Sequence, residues 1–342
     1  MSGRVICLGE GLIDRLFGQP DPAENPLASW QDLPGGAPAN VASALAKLGT
    51  STNFIGCLGS DAPGQRLIQA LQAAGVGCDA VQRHRSAPTR IVLVMRDAKG
   101  ERQFVGFHLP DPAGFADAYL QAGALDQSLF AEAAYLVMGT LGLAYPDTGA
   151  AMAQALTWAQ QYGLTTIVDV NWRPAFWPEA VTATKNSPSH PAPATARALA
   201  PQRILSFLTQ VDLLKLSQEE AHWLFQTDDP LAILDYLPQL KAVLVTAGAQ
   251  GCCYATPQGQ GRLPAHDIES EDTTGAGDAF LAGFIHQLDS QGLESLEDPS
   301  AMEQILRYAS AVGALTTMRP GAMAAQPRAN EVEAFIYLNP LP

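Results

Sequence analysis

The chain has 342 residues, 47% of them hydrophobic, enough for one large α/β unit, and no run of about eighteen uncharged apolar residues that would span a membrane. Its net charge of −14, with only five lysines, makes nucleic acid and anionic membrane surfaces unsuitable partners. Cys7, Cys57, Cys78, Cys252 and Cys253 are odd in number and lack metal-ligand spacing, and the N-terminus lacks signal-peptide character, so a reducing cytoplasm is expected.

In chain order, Val5–Gly9 reads as a buried strand, and Pro38–Leu48 as a helix opened by proline and ended by Gly49. Asn53–Cys57 is the next strand, followed by a helix from about Pro63 to Ala74. Arg90–Met95 and Glu101–Phe107 then flank Asp97-Ala98-Lys99-Gly100, a hairpin turn that interrupts the strand–helix alternation. Paired with Ile13–Phe17, the hairpin would form a small β-sheet lid built from about 12–33 and 88–110; an ordinary surface hairpin is the alternative. Ala134–Gly139, Thr165–Val170, Val211–Leu216 and Ala242–Thr246 read as further buried strands with helical segments between them. Residues 183–202, which hold Pro188, Pro191, Pro193 and Pro201, lack apolar periodicity and read as a mobile surface insertion. Helices from about Ala276 to Asp289 and Met302 to Thr317 close the unit. The alternation predicts a doubly wound, mainly parallel α/β sheet, with residues 1–342 forming a single domain.

Glu271–Ala279 carries the strongest chemical signal. Gly275-Ala276-Gly277 opens a helix, and Asp278 follows in its first turn. A helix start presents unpaired N–H groups and partial positive charge, and glycines let an anion approach them. The segment thus offers an anion cradle beside a carboxylate, although the same pattern alone also describes a tight turn with an acidic cap. The helix start should also hold the Asp278 pKa low. Gly35-Gly36-Ala37-Pro38-Ala39-Asn40 is a second glycine turn at a helix start, where Asn40 can both donate and accept hydrogen bonds to hydroxyl groups. For an anionic substrate, a chain this acidic must concentrate positive charge locally, which singles out Arg173, Lys215 and Arg319.

Asp272-Thr273-Thr274-Gly275-Ala276-Gly277-Asp278-Ala279-Phe280 resembles the C-terminal signature of the PfkB, or ribokinase-like, family of carbohydrate kinases, and Gly35-Gly36 with Asn40 resembles its N-terminal one. The resemblance covers nearly the whole chain and points to the fructokinase branch. Gly9–Asp14 looks like that branch's opening strand, in which the resemblance implies that Asp14 contacts sugar hydroxyls. Gly35, Gly36 and Asn40 would complete the sugar site. Asp169-Val170-Asn171-Trp172-Arg173 resembles its Asp-x-Asn-x-Arg segment, with Arg173 near the transferring phosphoryl group. Lys215, Ser217 and Glu220 lie in the place of the family's Asn-x-x-Glu motif, and Thr246, Gly248 and Gly251 resemble its nucleotide-facing turn. Two positions depart from the pattern: Ser217 stands where much of the family has Asn, and His108 where many fructokinases have Arg.

The resemblance implies an ATP-dependent sugar kinase acting most readily on fructose. Asp278 would be the proton acceptor, and the amides of Gly275, Ala276 and Gly277 the phosphoryl cradle. Mg²⁺ would be met by Glu220 through water, and a monovalent cation such as K⁺ by backbone oxygens around Asp272, Thr274 and Gly321. A homodimer through the lid edge is also expected. Kinases for 2-keto-3-deoxygluconate, ribose or a nucleoside, and a non-catalytic binding protein, are the alternatives. A Gly-Lys P-loop, a complete dinucleotide fingerprint, a protein-kinase catalytic loop and a Gly-x-Ser-x-Gly elbow are all missing from the sequence.

Overall fold

The computed structural model describes residues 3–17, 30–96, 102–177 and 194–341. In chain order the strands are β1 (Arg4–Leu8), β2 (Leu12–Phe17), β3 (Trp30–Gly35), β4 (Thr52–Ile55), β5 (Cys57–Gly59), β6 (Gln82–His84) and β7 (Ile91–Arg96). They continue with β8 (Arg102–Phe107), β9 (Ala133–Met138), β10 (Thr165–Asp169), β11 (Leu213–Ser217), β12 (Ala242–Thr246), β13 (Cys252–Thr256) and β14 (Gly259–Leu263). The main sheet has the order β14-β13-β12-β11-β10-β9-β1-β4. Its strands from β4 to β12 run parallel, and β13 and β14 add an antiparallel edge.

Parallel strands with both faces covered read as unbroken apolar runs, because alternate side chains enter different cores. β1 shows the division. Ile6 and Leu8 join one core with helices Pro146–Tyr162 and Ala194–Leu208. Val5 and Cys7 join the other with helices Ala37–Leu48, Ala276–Gln291 and Pro299–Thr317. The sheet therefore carries helices on both faces, as the strand–helix alternation predicts.

Part of the segment read as an insertion is regular structure. Residues 194–202 begin the helix Ala194–Leu208, which buries Ile204 and Leu208 despite containing Pro201. Its anchoring apolar side chains lie mostly beyond the proline-rich stretch, so local composition concealed the helix. Residues 183–193 lie outside the described residues.

A second, four-stranded sheet has the order β3-β2-β7-β8. β2 runs parallel to β7, pairing Ile13–Phe17 with Ile91–Met95, while β7 and β8 form the expected hairpin. β3 adds a strand on the other side of β2. The hairpin turn at Asp97–Gly100 lies outside the described residues. At the base of this sheet Arg90 is fully buried. Its Nε and Nη2 donate to the two Asp117 carboxylate oxygens at 2.7 and 2.8 Å, and its guanidinium lies 4.4–5.0 Å from the rings of Phe107, Phe115 and Phe176. A charge buried this deeply is tolerated because the pairing is bidentate and the surrounding rings present their π faces.

Candidate active site

A cleft of about 710 Å³ lies between the carboxyl ends of the parallel strands and the inner side of the small sheet. Ligands bind at this end of open α/β sheets. Leu12, Asp14, Val92, Val94 and Phe104 of the small sheet form one wall. The opposite side holds Asp169, Arg173, Lys215, Ser217, Glu220, Thr246, Thr274, Gly275, Gly277 and Asp278, with Glu10, Gly36 and Asn40 between the two. An adjoining hollow of about 360 Å³ shares Thr246 and Gly277 with the cleft; it adds Gly248, Gly251 and Ala276 and the apolar side chains of Ile268, Phe280 and Ala314.

The two glycine turns meet here. Gly36 precedes helix Ala37–Leu48 with φ 103°, and a Cβ at that position would lie 2.6 Å from the Glu10 carbonyl oxygen and 2.9 Å from Gly11 Cα. Only glycine fits that approach. One turn into the helix, Asn40 Nδ2 donates to Asp278 Oδ2 at 2.8 Å. At Gly35 an added Cβ would stand 2.9 Å from Asp14 Oδ2, so a side chain here would crowd that carboxylate.

Gly275 adopts a left-handed conformation, φ 78°, and opens the helix Ala276–Gln291 with Asp278 in its first turn. The Ala276 N–H donates to the Thr273 carbonyl at 3.3 Å, while those of Gly275 and Gly277 have no backbone partner among the described residues. The expectation of a low Asp278 pKa is corrected. Burial raises it above the ordinary aspartate value, and the Asn40 hydrogen bond and the charges of Lys215 and Arg173 only partly oppose this. Desolvation in the cleft outweighs the favourable field of the helix start.

Lys215 is not a free cation for phosphate. Its Nζ donates to Asp169 Oδ2 at 2.8 Å, and both residues are buried. Burial works against the charge on Lys215, but the carboxylates of Asp169, Glu220 and Asp278 outweigh it and raise its pKa. Glu220 is likewise no solvated helix carboxylate. Its Oε2 accepts from the Ser217 N–H at 2.8 Å and the Ser217 hydroxyl accepts from the Glu220 N–H, closing a capping box for helix Gln218–Phe225. Its Oε1 accepts from the Trp172 N–H at 2.6 Å, and the Trp172 ring stacks on Trp223 at 4.2 Å. That clamp fixes the segment presenting Arg173, which is exposed at the rim and makes no ion pair among the described residues. Asn171 there takes φ 41°, a conformation asparagine tolerates better than most residues.

Several residues singled out in the sequence lie outside both cavities. His108 is exposed and lines neither cavity; its ring packs against Phe115 at 5.0 Å. Arg319 lies at the surface, 3.5 Å from Glu331. Asp272 and Gly321 also line neither cavity, and instead Asp272 ties two loops together through the N–H groups of Thr274 and Gly321 at 3.1 and 2.7 Å. Sequence reasoning missed Glu10, a buried carboxyl on the cleft floor, and the Trp172–Trp223 stack. The position of Glu10 just beyond the carboxyl end of β1 was the available signal.

Comparison with known proteins identifies the family. Residues 2–329 match the pfkB family carbohydrate kinase model, and the chain belongs to that family. It is 33% identical over 341 residues to fructokinase-1 of Oryza sativa subsp. japonica, covering 97% of this chain and 98% of that protein. Among solved structures, it is similar to a fructokinase from Xylella fastidiosa with bound ATP, at TM-score 0.84 and 30% identity over 99% of both chains. It is also similar to a double-mutant fructokinase from Vibrio cholerae O395 bound to fructose, ADP and potassium ion, at TM-score 0.79 and 26% identity over 98% of both chains. The fold is the ribokinase-like α/β architecture, and the chain is an ATP-dependent carbohydrate kinase of the fructokinase branch.

Proposed function

We propose that the protein transfers the γ-phosphate of ATP to the primary hydroxyl of D-fructose, giving fructose 6-phosphate. The Asn40–Asp278 hydrogen bond carries this reading, because it joins the sugar-facing turn to the carboxylate at the anion cradle inside one cleft. Asp14, Gly35, Gly36 and Asn40 bind the sugar. Asp278 Oδ accepts the hydroxyl proton as the sugar oxygen bonds to phosphorus and the bond to the ADP oxygen breaks. The N–H groups of Gly275 and Gly277 and the helix start take up the charge spreading over the phosphoryl oxygens, and Arg173 reaches in from the rim. A loose transition state asks little of the base until late, so Asp278 also positions the hydroxyl. Thr246, Gly248 and Gly251 border the adjoining hollow, whose apolar side chains suit a purine.

Among the described residues no cluster of three or more His, Cys, Asp or Glu side chains could hold a metal ion. Both Glu220 oxygens are engaged by backbone N–H groups. That donor set suits Mg²⁺ arriving with ATP and met through water, where it would neutralise phosphate charge. Asp272, which holds the Thr274 and Gly321 loops together, would organise backbone oxygens for K⁺ beside the cradle.

The four-stranded sheet acts as a lid that excludes water from the transfer. Its exposed Trp30, Met95 and Val105 and its β3 and β8 edges favour a homodimer contact. No described helix is long and apolar enough to cross a membrane, and the five free thiols suit the cytoplasm. A coupled ATP assay across fructose, 2-keto-3-deoxygluconate, ribose and nucleosides tests the assignment. Fructose should give the highest kcat/KM; a higher value for any of the others, or no turnover at all, overturns it.

A further inference from the structure

Glu10 is a cleft carboxyl to which the mechanism above gives no task. It stands two residues beyond the end of β1, is 6% exposed, and lines the cleft with Gly36 and Asp169. Its Oε1 accepts from the Ala37 N–H at 3.2 Å, and among the described residues no other residue donates to the carboxyl. Oε2 stands beside Gly139, where an added Cβ would lie 3.9 Å away, so no side chain from that position covers it.

Holding the Ala37 amide does not account for the burial. The Ala37 bond is long, and beside it only the residue's own amide contacts the carboxyl among the described residues. Burying a carboxyl carries a free-energy cost that these two amide contacts only partly offset. Burial is also the main reason its pKa is pushed up to about 8, with Asp117 and Asp278 adding repulsion and the amides of Glu10 and Ala37 opposing it. At neutral pH the group is therefore largely an uncharged acid, able to donate and accept, and it does not repel phosphate. A sugar hydroxyl has the same dual character.

We propose that Glu10 reads one hydroxyl of the sugar acceptor from the floor of the cleft through Oε2. The proposal rests on the sugar-kinase reading and adds a specificity residue to it. The hydroxyl is one other than the phosphorylated group, which faces Asp278.

Steady-state kinetics of the full chain with fructose and a set of monodeoxy-fructoses tests this. Wild-type turnover of fructose is measured first, so failure of the function reading is seen separately. Glu10→Ala should raise the fructose KM at least about tenfold, a factor equal to 1.4 kcal/mol, while the ATP KM stays within about twofold. In the same variant the penalty for one deoxy analogue should vanish and the others persist. Glu10→Gln, which keeps a donor and an acceptor, should retain that penalty. Glu10→Asp keeps the carboxyl but withdraws it by one methylene, and should behave like Glu10→Ala if the latter does not fold. Unchanged penalties for every analogue in Glu10→Ala and Glu10→Asp, or an equal rise in both KM values, would overturn the proposal.

Discussion

Asn40 and Asp278 lie 238 residues apart in the chain, yet the Asn40 amide donates directly to the Asp278 carboxylate at 2.8 Å. The bond stabilises the ionised form of an acid that burial pushes toward protonation. Asn40→Ala should therefore raise the Asp278 pKa further and move the acid limb of the kcat/KM profile to higher pH. A hydrogen bond to a charged group contributes about 1.5–3 kcal/mol, so kcat/KM on the acid limb should fall roughly tenfold or more. An acid limb at the same pH as wild type would show that the contact is incidental.

Asp278→Asn should lower kcat by ~10²–10⁴, the usual range for loss of a general base. The fructose KM should change far less, because the contacts at Asp14 and the Gly35–Asn40 turn remain. Single-turnover measurements separate the two effects, and near-normal turnover would remove Asp278 from the mechanism.

Lys215→Met leaves the Asp169 carboxylate buried without its cation, and loss of one partner of a buried pair costs about 3–5 kcal/mol. The double change Lys215→Met with Asp169→Leu should recover much of that stability. It should not recover activity, since both side chains line the cleft. Denaturant unfolding of both variants tests this; equal stability of the two would mean that the pair is not coupled.

Gly36→Ala should destabilise the protein by more than about 1 kcal/mol, because the new methyl meets backbone atoms of Glu10 and Gly11 and the residue must keep φ 103°. Displacement of the helix start would also move Asn40, so the fructose KM should rise with the loss in Tm. A normal Tm with a normal KM would contradict the packing argument.

Glu10 makes stability depend on pH in a definite direction. Its pKa rises from 4.5 to about 8 on folding, so between those values the folded state keeps a proton that the unfolded chain releases. This contribution is fully present below about pH 4.5 and is lost as pH rises toward 8. Glu10→Gln should remove that decline, raising Tm relative to wild type at pH 8 more than at pH 5. Parallel Tm profiles for the two proteins would refute the linkage.

Local chemistry made the helix starts and the parallel strands legible. Gly49 ends its helix, Pro38 begins one, and the strand runs around Ile6, Val168 and Val243 are apolar on both faces. The hairpin partner at Ile13–Phe17 was also readable from strand character. What escaped were quantities that depend on distant segments. The burial that reverses the Asp278 shift comes from several elements at once, as do the pairing of Lys215 with Asp169 and the service of Glu220 to both Ser217 and Trp172. His108 was placed by its resemblance to an Arg position, but the pairing of Leu93 with Gly106 and of Val94 with Phe104 leaves Val105 as an extra residue and shifts the register just before it.

The small sheet is assembled from two pairs of strands, β2 with β3 and β7 with β8, with two helices and β4 through β6 between the pairs, joined by the parallel β2–β7 pairing. Parallel neighbours cannot be linked by a tight turn. An engineer seeking a new acceptor sugar could not graft this sheet as one cassette. Replacing only the β7–β8 hairpin would leave Asp14 on a strand whose register partners had changed, so both pairs would have to be exchanged together.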